Sequence, residues 1–214
     1  MARLLDLFCG SGGAAMGYRR AGFEVVGVDI NPQLDYPFEF VQADAMDVIV
    51  DDIVLAGFDA IHASPPCQDH MRGGLASFHG TGWLLAEARR RLIASDLPWV
   101  IENVPGAEMR PDYVLCGSHF ALPVRRHRWF ETSWQGFSLM PPCDHSGPIV
   151  GVYGHPHGDA GAWPGMLPGT IESWSAAMGI DWMTADELGQ AIPPAYTEFI
   201  GGQLLETLSL PASS

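Results

Sequence analysis

Lysine is absent from this chain of 214 residues: all 11 basic residues are arginine, set against 25 Asp and Glu for a formal net charge of −14. Without lysine there is no Walker loop, which argues against nucleoside triphosphate chemistry. The negative balance argues against broad electrostatic adhesion to nucleic acid. It leaves room for a local basic cleft, because the arginines cluster at Arg19-Arg20, Arg89-Arg90-Arg91 and Arg125-Arg126 with Arg128. Of these, 89–91 reads as a solvated helix face. Cysteine is scarce: Cys9, Cys67, Cys116 and Cys143 are too few and too scattered for a disulfide scaffold. They read as buried thiols, metal ligands or a nucleophile. No apolar run reaches the roughly 18 residues that span a bilayer. The opening apolar run faintly resembles a signal peptide, but Asp6 and the glycines at 10, 12 and 13 break it. A cytoplasmic protein with no membrane partner is expected.

What is present has a clear period. Residues 3–8 are an apolar run leading into Cys9-Gly10-Ser11-Gly12-Gly13, apolar positions then recur at helical spacing to Ala21, and Gly22 stops them. Residues 23–29 form a second run ending in Asp29, so strand, glycine loop, helix, strand and acid make a βαβ unit. Runs at 38–41, 58–63 and 99–101 predict three more strands, and 83–94 a helix. Continuous apolar runs of this kind are the pattern of buried parallel strands. The expected fold is α/β: a doubly wound, mostly parallel Rossmann-like sheet, with functional residues at the carboxyl ends of its strands. Residues 126–133 read as a further strand and 195–208 as a terminal helix with proline in its first turn. Residues 134–170, rich in Gly, Pro and His, read as an irregular insertion. The expected organisation is a core over 1–133, the insertion over 134–170 and a segment over 171–214 that returns to the core.

Three features carry chemistry. The glycine loop lets backbone approach a ligand at a helix N-terminus. Asp29, at the end of the second strand, is placed to hold ribose hydroxyls, and Asp44, after the third, to accept from an adenine amino group. Together they favour an adenosine-bearing cofactor. Pro65-Pro66-Cys67-Gln68 follows a strand end and presents Cys67 like an exposed nucleophile. Glu102-Asn103-Val104 ends the next strand, so Cys67 and Glu102 can converge; a thiolate beside a protonatable carboxyl suits addition to an electron-poor ring.

This ordered set, continued by Arg126-His127-Arg128 and by Gly189-Gln190-Ala191-Ile192-Pro193-Pro194, resembles the DNA cytosine-5 methyltransferase family from residue 4 to about residue 205. The resemblance implies S-adenosylmethionine as cofactor and DNA as partner, with no partner chain required. It implies that Cys67 attacks carbon 6 of a flipped cytosine and that Glu102 hydrogen-bonds ring nitrogen 3 and the amino group. Arg128, with Arg126 beside it, would bind the base carbonyl or position the loop of the nucleophile. Phe8 would pack on the adenine, Asp29 hold the ribose and Asp44 the adenine amino group. Asp6, Gly10, Gly12, Gly13, Ile30 and Pro65 complete the implied cofactor site, and residues 69–82 would close over the flipped base.

Several positions depart from the family pattern. Val124 stands where Gln is usual and Gln190 where Asn is usual, and no serine closely follows Gln68. The stretch between Val104 and Arg126 is short enough that a strand of the usual sheet is expected to be missing, and the insertion is small for a target-recognition domain. Compact, lysine-free chains of this kind resemble phage or actinobacterial versions, as in restriction-modification. Two other functions stay open: the same chemistry on RNA or a free cytosine nucleotide, and a non-catalytic relative that binds DNA or cofactor. Cys143, His145, His155 and His157, with Cys116, are candidate zinc ligands, but their spacings are not those of a standard finger and no metal is assigned from them.

Overall fold

A strand buried on both faces must be apolar at nearly every position, and β1 (Arg3–Leu7), β2 (Glu24–Asp29), β4 (Ala60–Ala63) and β5 (Trp99–Asn103) are buried almost throughout. The structure, a computed structural model, describes residues 1–66, 83–134, 140–152, 166–167 and 169–210. With β3 (Glu39–Gln42), β6 (Tyr113–Leu115) and β7 (Arg128–Thr132), these strands form one seven-stranded sheet in the order β3-β2-β1-β4-β5-β7-β6. The pairs from β3 to β5 are parallel, and β7 runs antiparallel to both β5 and β6. The order reverses between β1 and β4, and a cleft opens beyond the carboxyl ends of strands at such a point. This is the mostly parallel, doubly wound sheet that the apolar runs predict.

Alternation along the strands sends side chains to two cores. Leu4, Ala60, Val100 and Phe130 pack beneath α1 (Gly13–Ala21) and α7 (Pro194–Ser209). Leu5, Leu7, Ile61 and Ile101 pack on the opposite face with Leu85 and Leu92 of α4 (Trp83–Ala94). The contact of α1 with α7 needs small residues: a Cβ on Gly17 would come within 2.1 Å of the Pro194 carbonyl oxygen, and Thr197 Oγ1 donates to the Ala14 carbonyl at 2.8 Å. The end of the chain is thereby held against its first helix.

Three features differ from the sequence expectation. No strand is missing between Val104 and Arg126: β6 occupies Tyr113–Leu115 and completes the sheet, too short at three residues to stand out as an apolar run. The strand expected over 126–133 is narrower because Arg126 and His127 lie outside the ladder of β7. Two short helices, α2 (Ala45–Val48) and α3 (Asp52–Leu55), are set by Asp44 and Asp51, which accept from backbone N–H groups as N-caps. Beyond β7, the described residues form a two-stranded parallel pair, β8 (Ile149–Val150) with β9 (Met166–Leu167). Then come α5 (Ile171–Met178) and α6 (Ala185–Gln190), packed with Val124 and Val152 around a third cluster. Val124 is a core residue there, and a glutamine in its place would have to bury an amide. Among the described residues no helix is long and apolar enough to cross a membrane.

Candidate active site

Each of three adjacent strands carries one buried polar residue on the face covered by α1. Asp6 lies opposite His62 in the register of β1 and β4, and Glu102 lies two residues beyond Val100, the partner of His62. All three are at most 5% exposed. Polar groups are buried at a cost unless they are partnered, so their partners define the site.

Glu102 is paired with Arg128, Nε to Oε1 at 2.9 Å. The antiparallel register places Glu102 directly opposite Phe130, which makes Arg128 its diagonal neighbour, within reach of a long side chain. Burial pushes the Glu102 carboxyl above the ordinary range, while the charges of Arg128 and Arg126 and the Ser64 hydroxyl pull part of the way back. The result is a buried carboxyl that readily holds a proton, with a fixed cation beside it. Asn103, the next residue, donates from Nδ2 to the Pro65 carbonyl at 3.0 Å. The turn that leads into Cys67 is thereby tied to the end of β5. Cys67 and residues 68–82 lie outside the described residues.

Arg126 is buried and directed elsewhere: Nη1 donates to the Val152 carbonyl at 3.2 Å and Nη2 to the Gly189 carbonyl at 2.7 Å, while the Tyr196 hydroxyl donates to the Arg126 carbonyl at 2.6 Å. It brackets three parts of the chain, and its charge reaches Glu102. The cluster at 89–91 is not simply solvated either. Arg89 reaches buried Glu131 at 2.6 Å, whereas Arg90 and Arg91 pair with Glu87 on their own helix.

At the other side of the switch point, Asp29 organises the glycine loop: Oδ2 accepts from Gly10 N at 3.1 Å and Oδ1 from Asn31 N at 2.9 Å. Phe8 sits in the loop at φ 58°, a left-handed conformation costly for a residue with a Cβ. Gly12, at φ 86°, is closely covered by Tyr36 and Pro37, whereas nothing lies within 4 Å of a Cβ built on Gly10. Ile30 exposes 64% of its surface at the end of β2, and Asp44 Oδ1 caps α2 through Met46 N at 2.8 Å. Open space over Gly10, an exposed apolar side chain and a strand-end carboxylate fit an adenosine-bearing ligand. Asp6 beneath the loop is fully buried; desolvation and then the Asp29 charge push its carboxyl far up.

Sequence reasoning missed a buried relay behind Glu102. Tyr18 Oη lies 2.9 Å from His62 Nδ1, and His62 Nε2 lies 2.8 Å from Ser64 Oγ. Burial keeps the Tyr18 phenol protonated, and its donation to Nδ1 would set the ring proton on Nε2, facing Ser64. The available signal was one polar residue inside the apolar run of β4.

Burial pushes the His62 pKa down to about 3. The unfolded chain takes up a proton at this residue near pH 6.5, and the folded chain only near pH 3. The contribution of His62 to stability is therefore whole above about pH 6.5 and is lost as the pH falls towards 3, on the order of 3–5 kcal/mol over that window. Asp6 and Glu102, both pushed up, work in the opposite direction, so the comparison is between proteins. Denaturant unfolding of wild type and His62→Gln between pH 7 and 3.5 should show a shallower acid-side decline in the variant; parallel curves would contradict the assignment.

Comparison with known proteins agrees with this fold. The fold is similar to a DNA modification methyltransferase encoded within an E. coli prophage, at 16% identity and TM-score 0.69 over 98% of this chain and 100% of that one. It is similar also to the S. pombe Dnmt2 methyltransferase, at 14% identity and TM-score 0.64 over 98% and 100% of the two chains. A third likeness is the Entamoeba histolytica methyltransferase EhMeth, at 13% identity and TM-score 0.61 over 98% and 99%. No curated protein matches the sequence. The family model of the C-5 cytosine-specific DNA methylases matches residues 2–112, which hold the glycine loop, the Pro-Cys-Gln sequence and Glu102-Asn103-Val104. That span is more than half of the chain, and the protein belongs to the C-5 cytosine-specific DNA methylases.

Proposed function

We propose that this DNA cytosine-5 methylase works through a covalent adduct, with Cys67 as nucleophile and Glu102 as the acid that activates the base. In this route the Cys67 thiolate adds to carbon 6 of a cytosine turned out of the duplex while Glu102 donates its proton to ring nitrogen 3. Carbon 5 becomes nucleophilic, and S-adenosylmethionine, when bound, supplies the methyl group that it takes. Loss of the carbon 5 proton to water, with return of the nitrogen 3 proton to the Glu102 carboxylate, then expels the thiolate and restores the ring. The observation that carries the reading is the raised, Arg128-paired carboxyl of Glu102 beside the Asn103–Pro65 bond, which anchors the turn ahead of Cys67. Arg128 holds Glu102 in place and is near enough to serve the base carbonyl, while Arg126 acts as a bracket for the residues behind it.

S-adenosylmethionine would lie over Gly10, with Phe8 and Ile30 against the adenine, Asp29 at the ribose and the free oxygen of Asp44 at the adenine amino group. Gly12, Gly13, Asp6 and Pro65 shape the floor of that site. Residues 134–170 are then the part that reads the DNA, and so short a segment suits a short target. Labelled methyl transfer to duplex DNA, to RNA and to dCMP tests the substrate. DNA should be labelled at carbon 5 of cytosine; labelling of RNA or dCMP with DNA inert would overturn the DNA assignment while keeping the chemistry.

A further inference from the structure

The edge of the sheet away from the glycine loop holds a cluster that methyl transfer does not use. Cys116 directly follows β6, His127 directly precedes β7, and Cys143 and His145 come from the segment before β8. Their four ligand atoms all lie within 4.8 Å of one another, with Cys116 buried and the other three half-buried. Cys116 Sγ is 3.4 Å from His145 Nε2, and Cys143 Sγ is 3.5 Å from His127 Nε2. The rings of His127 and His145 meet at 80°, centroids 5.2 Å apart. Asp144, between two of the four, is turned away: its Oδ1 accepts from Ser146 N at 2.9 Å and from Ser146 Oγ at 2.6 Å. Alternation along 143–145 therefore sends the thiol and the imidazole inward and the carboxylate outward.

The geometry points to a structural zinc site formed by Cys116, His127, Cys143 and His145. Zinc binds thiolate at about 2.3 Å and imidazole nitrogen at about 2.0–2.1 Å in a tetrahedron, which sets the sulfur-to-nitrogen edge at about 3.5 Å. Both sulfur-to-nitrogen separations given above match that edge. Two thiolates and two imidazoles leave no open position, so the site is structural rather than catalytic. A further residue supports it. His119 Nδ1 accepts from Cys116 N at 3.3 Å, so its ring proton sits on Nε2, 3.5 Å from Cys143 Sγ. An N–H aimed at a thiolate is the outer-shell bond that orients a metal ligand. Of the residues weighed from the sequence, Cys116, Cys143 and His145 belong to this cluster, His127 joins them, and His155 and His157 lie outside the described residues.

The metal ties residues 143–145, within the 134–170 segment, to the β6–β7 connection at the sheet edge. Arg125 Nη2 adds a bond to the His145 carbonyl at 3.1 Å. His127 sits between Arg126 and Arg128, so the same ion fixes the backbone that delivers Arg128 to Glu102. This site is independent of the covalent mechanism.

The test uses the untagged 214-residue chain, expressed with zinc and dialysed against a weak chelator. One zinc per chain should remain, and a strong chelator should lower the melting temperature by about 10 °C. Replacement with Co(II) should give the intense visible bands of tetrahedral coordination and a thiolate charge-transfer band in the near ultraviolet. Cys116→Ser with Cys143→Ser should abolish both the retained zinc and the charge-transfer band. Less than a tenth of an equivalent of zinc, weak octahedral Co(II) bands, or full zinc retention by the double variant would each overturn the site. The Co(II) spectrum of the wild type decides the matter even where the double variant does not fold.

Discussion

Glu102→Gln should retain cofactor binding and lose methyl transfer by roughly 10²–10⁴-fold, the range for a positioned general acid. The argument rests on what burial does to this one carboxyl. At 5% exposure its charged form is poorly solvated, and burial raises its pKa against the pull of Arg128, the direction a proton donor needs. Glutamine has the same shape and can still accept from the cytosine amino group, but its amide has no proton to give up to ring nitrogen 3. Removing the carboxylate also leaves the Arg128 guanidinium, only 13% exposed, without its counter-charge. Breaking such a pair can cost about 3–5 kcal/mol of stability, so the rate is to be measured under single turnover below the melting temperature of the variant. A variant within tenfold of wild type would remove Glu102 from the chemistry.

Cys67→Ala should reduce methyl transfer to background while leaving affinity for S-adenosylmethionine within about twofold, because the thiol and the glycine loop belong to different strand ends. No other cysteine can take over. Cys9 is buried, and desolvation followed by the charges of Asp6 and Asp29 pushes its thiol far up, so it holds its proton at any working pH. Cys116 and Cys143 lie among imidazoles at the β6–β7 edge. Residual turnover above a hundredth of wild type would point to a non-covalent route.

The parts of this protein that could be read from its sequence are those in which one residue type serves one purpose. Continuous apolar runs gave β1, β2, β4 and β5, because a strand covered on both faces has no polar side to confuse the pattern. The helix predicted over 83–94 is α4, and the terminal helix is α7 with its proline in the first turn. The glycine loop, Asp29 and Glu102-Asn103-Val104 stood out because they sit at strand ends. Less visible were features made by pairing distant residues. β6 is three residues long and exists because β7 runs beside it. The hydrogen-bonded chain from Tyr18 through His62 to Ser64 draws on α1, β4 and the turn after it. Arg126 and Arg128 share a motif two residues apart, yet one holds carbonyls and the other a carboxylate, a division set by tertiary packing alone.

The central claim, a covalent route through Cys67 with Glu102 as acid, is tested most directly by a duplex in which the target cytosine carries fluorine at carbon 5. Fluorine cannot leave as a cation, so after methyl transfer the elimination that frees the enzyme has no proton to remove. With S-adenosylmethionine present, the wild-type protein should form a protein–DNA species that survives denaturing electrophoresis, with the modified peptide ending the trail at Cys67. Cys67→Ala should form none, and Glu102→Gln should form it far more slowly. Wild-type protein that methylates ordinary DNA but leaves no trapped species on the fluorinated duplex, or a Cys67→Ala variant that still traps, would contradict the account.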